Sequence, residues 1–535
     1  MIKWLLIALL ALPVAGCQKR PEEKRSEQKV RFSINRPPTT MDPRKGGDVV
    51  SVTLQFLLFE GLTKIEEDGS ISYAMAKRID LSEDHKTYTF HLRNALWSDG
   101  SPVTAYDFEK AWKDNLNPSF PALNAHLFYA IKNAEAVKKG LLPLDAVGIR
   151  SLDAATFQVE LSHPIPYFLS IISFSCFAPI NRTIDEKNPE WALQAGDHFV
   201  SNGPFLLQSW KQSDSLDLIK NPLYWNAEQI QLDKIQVCII DNEMTALHMY
   251  EHGELDMISS PLSPIPIDAL EEYRKKGELT TLPEPGTTVC FFNTEQFPFN
   301  NVNIRKAFAY AINREEIINS ITQLNEPIAT GPVPPILKGK NRLLFPDNAV
   351  KEARLFLEKG LEELGLASAK ELGEINYYYF STEVNRKIAQ AIQHQWFEAF
   401  GLRVKLIQLD YKHLMESLTQ RTFMVAQALW LAQYQDQMNI LERFKSRINP
   451  KNYPGWENEE YRMLLETSNL APTAEERQKL LDRAEELFAE EMPASPIYHW
   501  NSALLVKPHL KVISTPPSGG LFFEKLSILP KEAAR

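Results

Sequence analysis

LWSDGSPVTAYDFEKAWK, residues 96–113, is the stretch from which the fold is read. A strand-like run, TYTFHLRNALW, leads into it. Asp99-Gly100 is a tight-turn pair, and Pro102 restricts the backbone on either side of it. Thr104 stands three residues before Asp107, the spacing of a capping box, with Asp107 in reach of the amides exposed at a helix start. Phe108, Ala111 and Trp112 then recur at helical spacing. The expected geometry is a strand, a turn and a capped helix.

Outward from this stretch, strands and helices mix along the chain. VRFSIN, ATFQVELSHPIPYFL, DSLDLIKNPLYW and LDKIQVCII read as strands by alternation, the second running into Pro164 and Pro166. NIRKAFAYAINREEIINSI reads as a helix with Ile304, Ala307, Phe308, Ala311 and Ile312 on one face. RKIAQAIQHQWFEAF is a helix stopped by Gly401 and followed by the strand LRVKLIQL. TAEERQKLLDRAEELFAEE opens with Thr473 and Glu476, a second capping-box pair, and ends at Pro493. This alternation is that of an α/β protein. At 535 residues two or three domains are expected. No short repeat and no transmembrane segment is expected in the mature chain.

Hydrophobic content of 44% and charged content of 24% are those of a soluble globular protein. A net charge of -10 argues against nucleic acid, and against an anionic membrane surface, as the main partner. The N-terminus, MIKWLLIALLALPVAGC, has Lys3 and then an apolar run too short to span a bilayer. It reads as a signal peptide over residues 1–17. Val14-Ala15-Gly16-Cys17 resembles the bacterial lipobox, which implies cleavage before Cys17 and a lipid on Cys17. Residues 18–29, QKRPEEKRSEQK, have the composition of a solvated tether. Cys176, Cys238 and Cys290 lie far apart without CxxC spacing, so neither a disulfide framework nor a zinc cluster is expected, although export permits one bridge.

Catalytic signatures are sparse. There is no GxSxG, P-loop or dinucleotide fingerprint. His248-Met249-Tyr250-Glu251-His252 fits HxxEH, in which two histidines at i, i+4 hold zinc and the glutamate acts as base. Gly253 should end that helix at once, no third ligand is placed by the sequence, and a polar surface helix is the expectation, with no metal and no cofactor. The acid pairs in EEY, NREEI and AEEL read as solvated helix faces. Trp430 and Tyr434, and Tyr498, His499 and Trp500, are aromatics that suit either a core or the lining of a cleft.

WSDGSPVTAYDFEKAW resembles a segment of the oligopeptide-binding proteins of bacterial ATP-driven importers, in the peptide/nickel class (family 5) of extracellular solute-binding proteins. Further matches come in the same order as in that family: MDPRK, LFEGL, TFHLR, IPYF, SNGPFLL, NPLYWN, GELDM, PFNNVNIRKAFAYAINREEI, and PIYHW with LVKP, together spanning about residues 30–530. The resemblance implies the two-lobe periplasmic binding protein fold with an extra domain (class II, three domains). Residues 30–59, 180–285 and 500–535 would form a discontinuous domain, 60–179 the extra domain and 286–499 the opposite lobe, with crossings near 285 and 499. Trp97 and Trp112 would then pack rather than bind.

The resemblance also implies a function without catalysis: a monomeric lipoprotein, held outside the cell membrane, that captures an extended peptide between its lobes and passes it to ABC permease subunits. By matching motifs the clamp would be Gly47, Asp48, Val49 and Val50 on one side. On the other it would be residues 426–433, including Gln427, Ala428, Leu429, Trp430, Leu431 and Gln433. Tyr434 comes directly after that segment, and Trp430 and Trp500 would line pockets. The chain departs from the family at its charged anchors: Gln433 stands where an Asp binds the peptide amino group, and Gln427 and Asn385 where an Arg and a His bind the carboxylate. Asp436 and Asp48 are nearby acids that offer a substitute amino anchor; otherwise the ligand has a blocked or absent amino terminus, as a muropeptide can. A muropeptide or other solute receptor on the same fold, and a zinc hydrolase, are the alternatives.

Overall fold

In a computed structural model that describes residues 28–512 and 522–529, the opening stretch is a fold device. Strand Thr87–Leu92 is followed by a turn at Gly100, whose φ of +85° suits glycine. Helix Ala105–Leu116 then begins. The Asp107 carboxylate accepts from Thr104 N at 2.8 Å and Thr104 Oγ1 at 2.9 Å, closing the helix start. Burial raises the Asp107 pKa against these bonds. Trp112 is buried edge-on to Phe157 and Phe177, each with centroids 5.0 Å away, and its indole N–H donates to Phe177 O. Trp97 is buried beside Asp107. The helix packs on a four-stranded antiparallel sheet ordered Ala76–Leu81, Thr87–Leu92, Thr156–Glu160, Ile149–Asp153. Arg44, buried among Asp42, Asp114 and Asp185, ties this unit to the segment after the first strand.

A ten-stranded sheet forms the rest of the frame. Its middle is two long antiparallel strands, Leu279–Phe292 and Ala494–Val506. One wing adds Val425–Leu431, Ile375–Phe380 and Val404–Leu409; the other adds Met257–Ser259, Lys29–Ile34, Lys234–Ile239, Ser215–Lys220 and Phe205–Lys211. The central pairing loses register between Pro283 and Thr287 and again between Thr288 and Val289. A register shift bends and twists a sheet locally, so the two wings meet at an irregular seam. One apolar cluster runs through the four-stranded unit and one face of the sheet; a second, around Phe308, Tyr377 and Trp396, fills the other face of the 375–431 wing.

VRFSIN and LDKIQVCII hold strands at Lys29–Ile34 and Lys234–Ile239, but ATFQVELSHPIPYFL and DSLDLIKNPLYW are strands only over Thr156–Glu160 and Ser215–Lys220; the end of the former begins the short helix Phe168–Ile171. Helix Glu383–Phe400 ends at Gly401 with φ +68°, and Ala474–Glu491 starts at Thr473, which accepts from Glu476 N. The single helix expected over 303–321 is broken. Val302–Tyr310 stops, and Asn313 caps a new turn, Arg314–Ile317, by accepting from Glu316 N. The break lets Arg314 turn inward to the carbonyls of Ala329, Pro496 and Ala309. The expected apolar face is nonetheless buried throughout. Cys176, Cys238 and Cys290 are unpaired. The expected signal peptide, with Cys17, lies outside the described residues, among which no helix is long and apolar enough to cross a membrane.

Candidate functional site

Strand Val425–Leu431 sits inside the large sheet yet has an open edge. On one side it pairs with Leu279–Phe292 from Val425 to Leu431. Ala432 N donates to Pro285 O, which sets the phase of that antiparallel ladder. Residues 426, 428, 430 and 432 therefore direct their peptide groups to it, and Gln427, Leu429 and Leu431 turn theirs to the other side. There the strand Ile375–Phe380 pairs only with Val425 and Ala426. Past Ala426, no strand lies along that edge among the described residues. Leu429 is 50% exposed, and Leu431 O accepts from Arg443 Nη2 at 2.7 Å.

Beyond the strand the chain reaches the smaller unit. Gln433 Nε2 donates to Asn124 Oδ1 at 2.8 Å, and Asn124 Nδ2 donates to Gly46 O at 2.8 Å. The two segments expected to form a clamp are thus joined through a buried asparagine that no sequence pattern singles out. Gln435 N donates to Ser170 Oγ, and Tyr434 stacks on Tyr167 with centroids 5.5 Å apart and planes 5° from parallel. His126 Nε2 lies 3.1 Å from Gln433 Oε1 and 2.9 Å from Lys451 Nζ. A neutral imidazole nitrogen serves one of these at a time, as donor to the amide or acceptor from the ammonium. Burial, with Lys451 beside it, pushes the His126 pKa down to about 3, so the ring is neutral at ordinary pH.

Gln427 and Asn385, which stand at two carboxylate anchors of the family, bond to each other: Gln427 Nε2 donates to Asn385 Oδ1 at 2.9 Å, and Tyr377 OH donates to Gln427 Oε1. Strand alternation puts Gln427 and Leu429 on the face of Thr288, whose hydroxyl accepts from Trp500 Nε1. Trp500 is half-buried there. Trp430 and Ala428 point the opposite way. Trp430 is buried against Phe291, Phe444 and Phe488, and its N–H is taken by Pro332 O, so it is core and does not line an open pocket. Gly47 to Val50 is not an extended clamp strand either. Asp48 is the N-cap of helix Val49–Leu58, accepting from Ser51 N and from Thr39 Oγ1 at 2.6 Å. Burial works against its charge, but these bonds and Arg36 hold its pKa below the usual value.

The expected substitute anchors fail on the same ground. Asp436 gives both oxygens to Arg477, at 2.7 and 2.8 Å, and Asp48 is occupied by its cap. Four further residues at this place, Asn124, His126, Arg443 and Lys451, stand in no periodic or motif context; each is a single side chain on a loop or short turn. For HxxEH, the helix ends at Glu251, His252 is its C-cap and Gly253 comes next at φ +73°. Among the described residues no group of three His, Cys, Asp or Glu is placed to hold a metal.

A sheet edge left open beside a second unit that reaches across to it has the geometry to accept an added strand. A family model described as bacterial extracellular solute-binding proteins, family 5 Middle, matches residues 70–452. The chain belongs to that family. It is 38% identical over 506 residues to the oligopeptide-binding protein OppA of Bacillus subtilis, an alignment covering 94% of this chain and 93% of that one. The unliganded open form of the murein tripeptide-binding protein MppA superposes with a TM-score of 0.79 at 25% identity, covering 94% of this chain and 98% of that one. Haemophilus influenzae OppA, solved in complex with RPPGFSPFR, superposes at 0.76 and 25% identity over 95% of this chain and all of that one. The family assignment and the multi-domain binding-protein fold expected from the sequence both stand.

Proposed function

We propose that this family 5 solute-binding protein captures oligopeptides in extended form between two lobes and presents them to an ABC permease. The observation that carries this is the open edge at Leu429. Backbone groups aimed at an unoccupied edge bind another backbone without reading its side chains. The names of the relatives support peptide as the ligand class. In this reading the lobes are the sequence-derived ones: 30–59, 180–285 and 500–535 with the extra domain 60–179, against 286–499. The seam between Pro283 and Thr287 falls at the first crossing and acts as the hinge. The protein is a monomer without catalytic activity, tethered through a lipid on Cys17.

The test is mass spectrometry of small molecules released from protein purified without denaturation. Peptides of mixed sequence are expected. A single non-peptide solute at stoichiometric yield would overturn the reading.

A further inference from the structure

We propose that the cleft holds an anion-binding subsite, formed by Arg443, Lys451 and Gln433 and closed by His126 from the opposite lobe, that takes a carboxylate of the bound peptide. The proposal rests on the peptide reading above and deepens it. Its first support is position. Arg443 is fixed by bonds from Nε to Asn439 O and from Nη2 to Asn439 Oδ1 and Leu431 O. Its guanidinium therefore stands at the end of the open edge, where a ligand paired along Leu429 must pass. All four residues are partly accessible although they lie between the lobes, as groups lining an enclosed space are.

The second support is charge. Arg443 brings one positive charge, and Lys451, its pKa at about 7, a second that is only partly present at neutral pH. Lys451 leans on His126, which is neutral and cannot balance it. The acids that face the space are otherwise engaged. Glu442 accepts from Tyr434 OH at 2.9 Å, and burial raises its pKa. Asp436 is paired with Arg477. Tyr167, Tyr434 and Tyr453 are held protonated, burial raising each. Glu442 is thus the one acid left to answer Arg443 and Lys451, and burial weighs against its charge. Burial and the nearby Arg443 push the Lys451 pKa down to about 7 against the opposing pull of Glu442, so a bound anion would favour the charged lysine. A ligand ammonium would add to the positive charge at this place, whereas a carboxylate offsets it and receives charge-assisted bonds.

The experiment uses the mature protein freed of endogenous ligand and a series of alanine peptides of three to seven residues. In each, one alanine at a time is replaced by Glu or by Lys, and binding is read by calorimetry. One position is expected at which Glu binds at least tenfold tighter than Ala and Lys binds more weakly than Ala. In Lys451→Gln that Glu-to-Ala ratio should fall toward one, and in Lys451→Arg it should persist. Peptides that bind with no position favouring Glu, or with Lys favoured over Glu beside the edge, overturn the subsite and leave the peptide reading standing. A Glu preference unchanged in Lys451→Gln overturns the assignment to these residues. Failure of every peptide to bind overturns the peptide reading, and the subsite with it.

Discussion

The Trp97–Trp112 region and the 427–451 region differ in where their polar groups point. In the first, every feature the sequence displays is consumed by the fold: Asp107 closes its own helix, the Trp112 N–H finds Phe177 O, and aromatic faces meet edges. In the second, the peptide groups at Leu429 face an edge along which no strand lies among the described residues, and Arg443 and Lys451 are held beside it by bonds to Leu431, Asn439 and His126. A recognisable motif is therefore a poor guide to a working surface here. The motif marks the region that cannot change without unfolding, and the surface sits where the pattern is weakest.

The contrast predicts a ranked set of effects. Trp112→Ala removes a buried ring from the aromatic cluster and should cost about 3–5 kcal/mol of stability, read by denaturant unfolding. A loss under about 1 kcal/mol would mean that the first region is not a rigid partner to the second. The Arg44 network predicts an acid-sensitive contribution. Burial opposes the Asp185 charge, but Arg44 and Lys110 overcome it and bring the carboxyl down to about 2. A depressed carboxyl stabilises above its unfolded value, 3.8, and the contribution is lost as pH falls through the folded value. Between pH 4 and 2 the loss should be about 1–2 kcal/mol, the lower figure allowing for solvent screening, and Asp185→Asn should flatten that part of the unfolding curve.

Asp107→Ala opens the helix start and should cost about 1 kcal/mol in the same unfolding assay. The smallest stability effect and the sharpest functional one come together at the edge. Leu429→Ala should change stability by less than about 0.5 kcal/mol, as at other exposed positions. Leu429→Pro, which removes an N–H that serves no neighbouring strand, should also fold, since proline is tolerated at sheet edges, but should weaken peptide binding tenfold or more where Leu429→Ala does not. Equal affinity of the two variants would show that the ligand does not pair along this edge.

Legibility in the sequence divides along the same line. Helix and strand placement comes from periodicity and caps, which are local: Thr104 with Asp107 forms the capping box as read, Thr473 accepts from Glu476 N as half of one, and the run before Gly100 is a strand over Thr87–Leu92. The break at Asn313 is invisible to periodicity because Asn reads as a tolerable helix residue until Arg314 is seen to need the interior. The pairing of Gln427 with Asn385 comes from resemblance, not from spacing. Trp430 reads as a pocket wall but is core, because its face is decided by the phase of a ladder with the distant segment around Cys290. Asn124, His126, Arg443 and Lys451 acquire meaning only through contacts more than 300 residues apart, or through a charge count that no one-dimensional pattern holds.

The Tyr167–Tyr434 stack and the bond of Gln435 to Ser170 run from one part of the protein directly to another, with no ligand atom between them. Whatever free energy they contribute is the same for every cargo. Such contacts cancel in any ratio of two affinities and so convey no information about which molecule is held. They set a common floor of retention, and it is the small remainder, at the edge and among the unbalanced charges, that has to distinguish one peptide from the next.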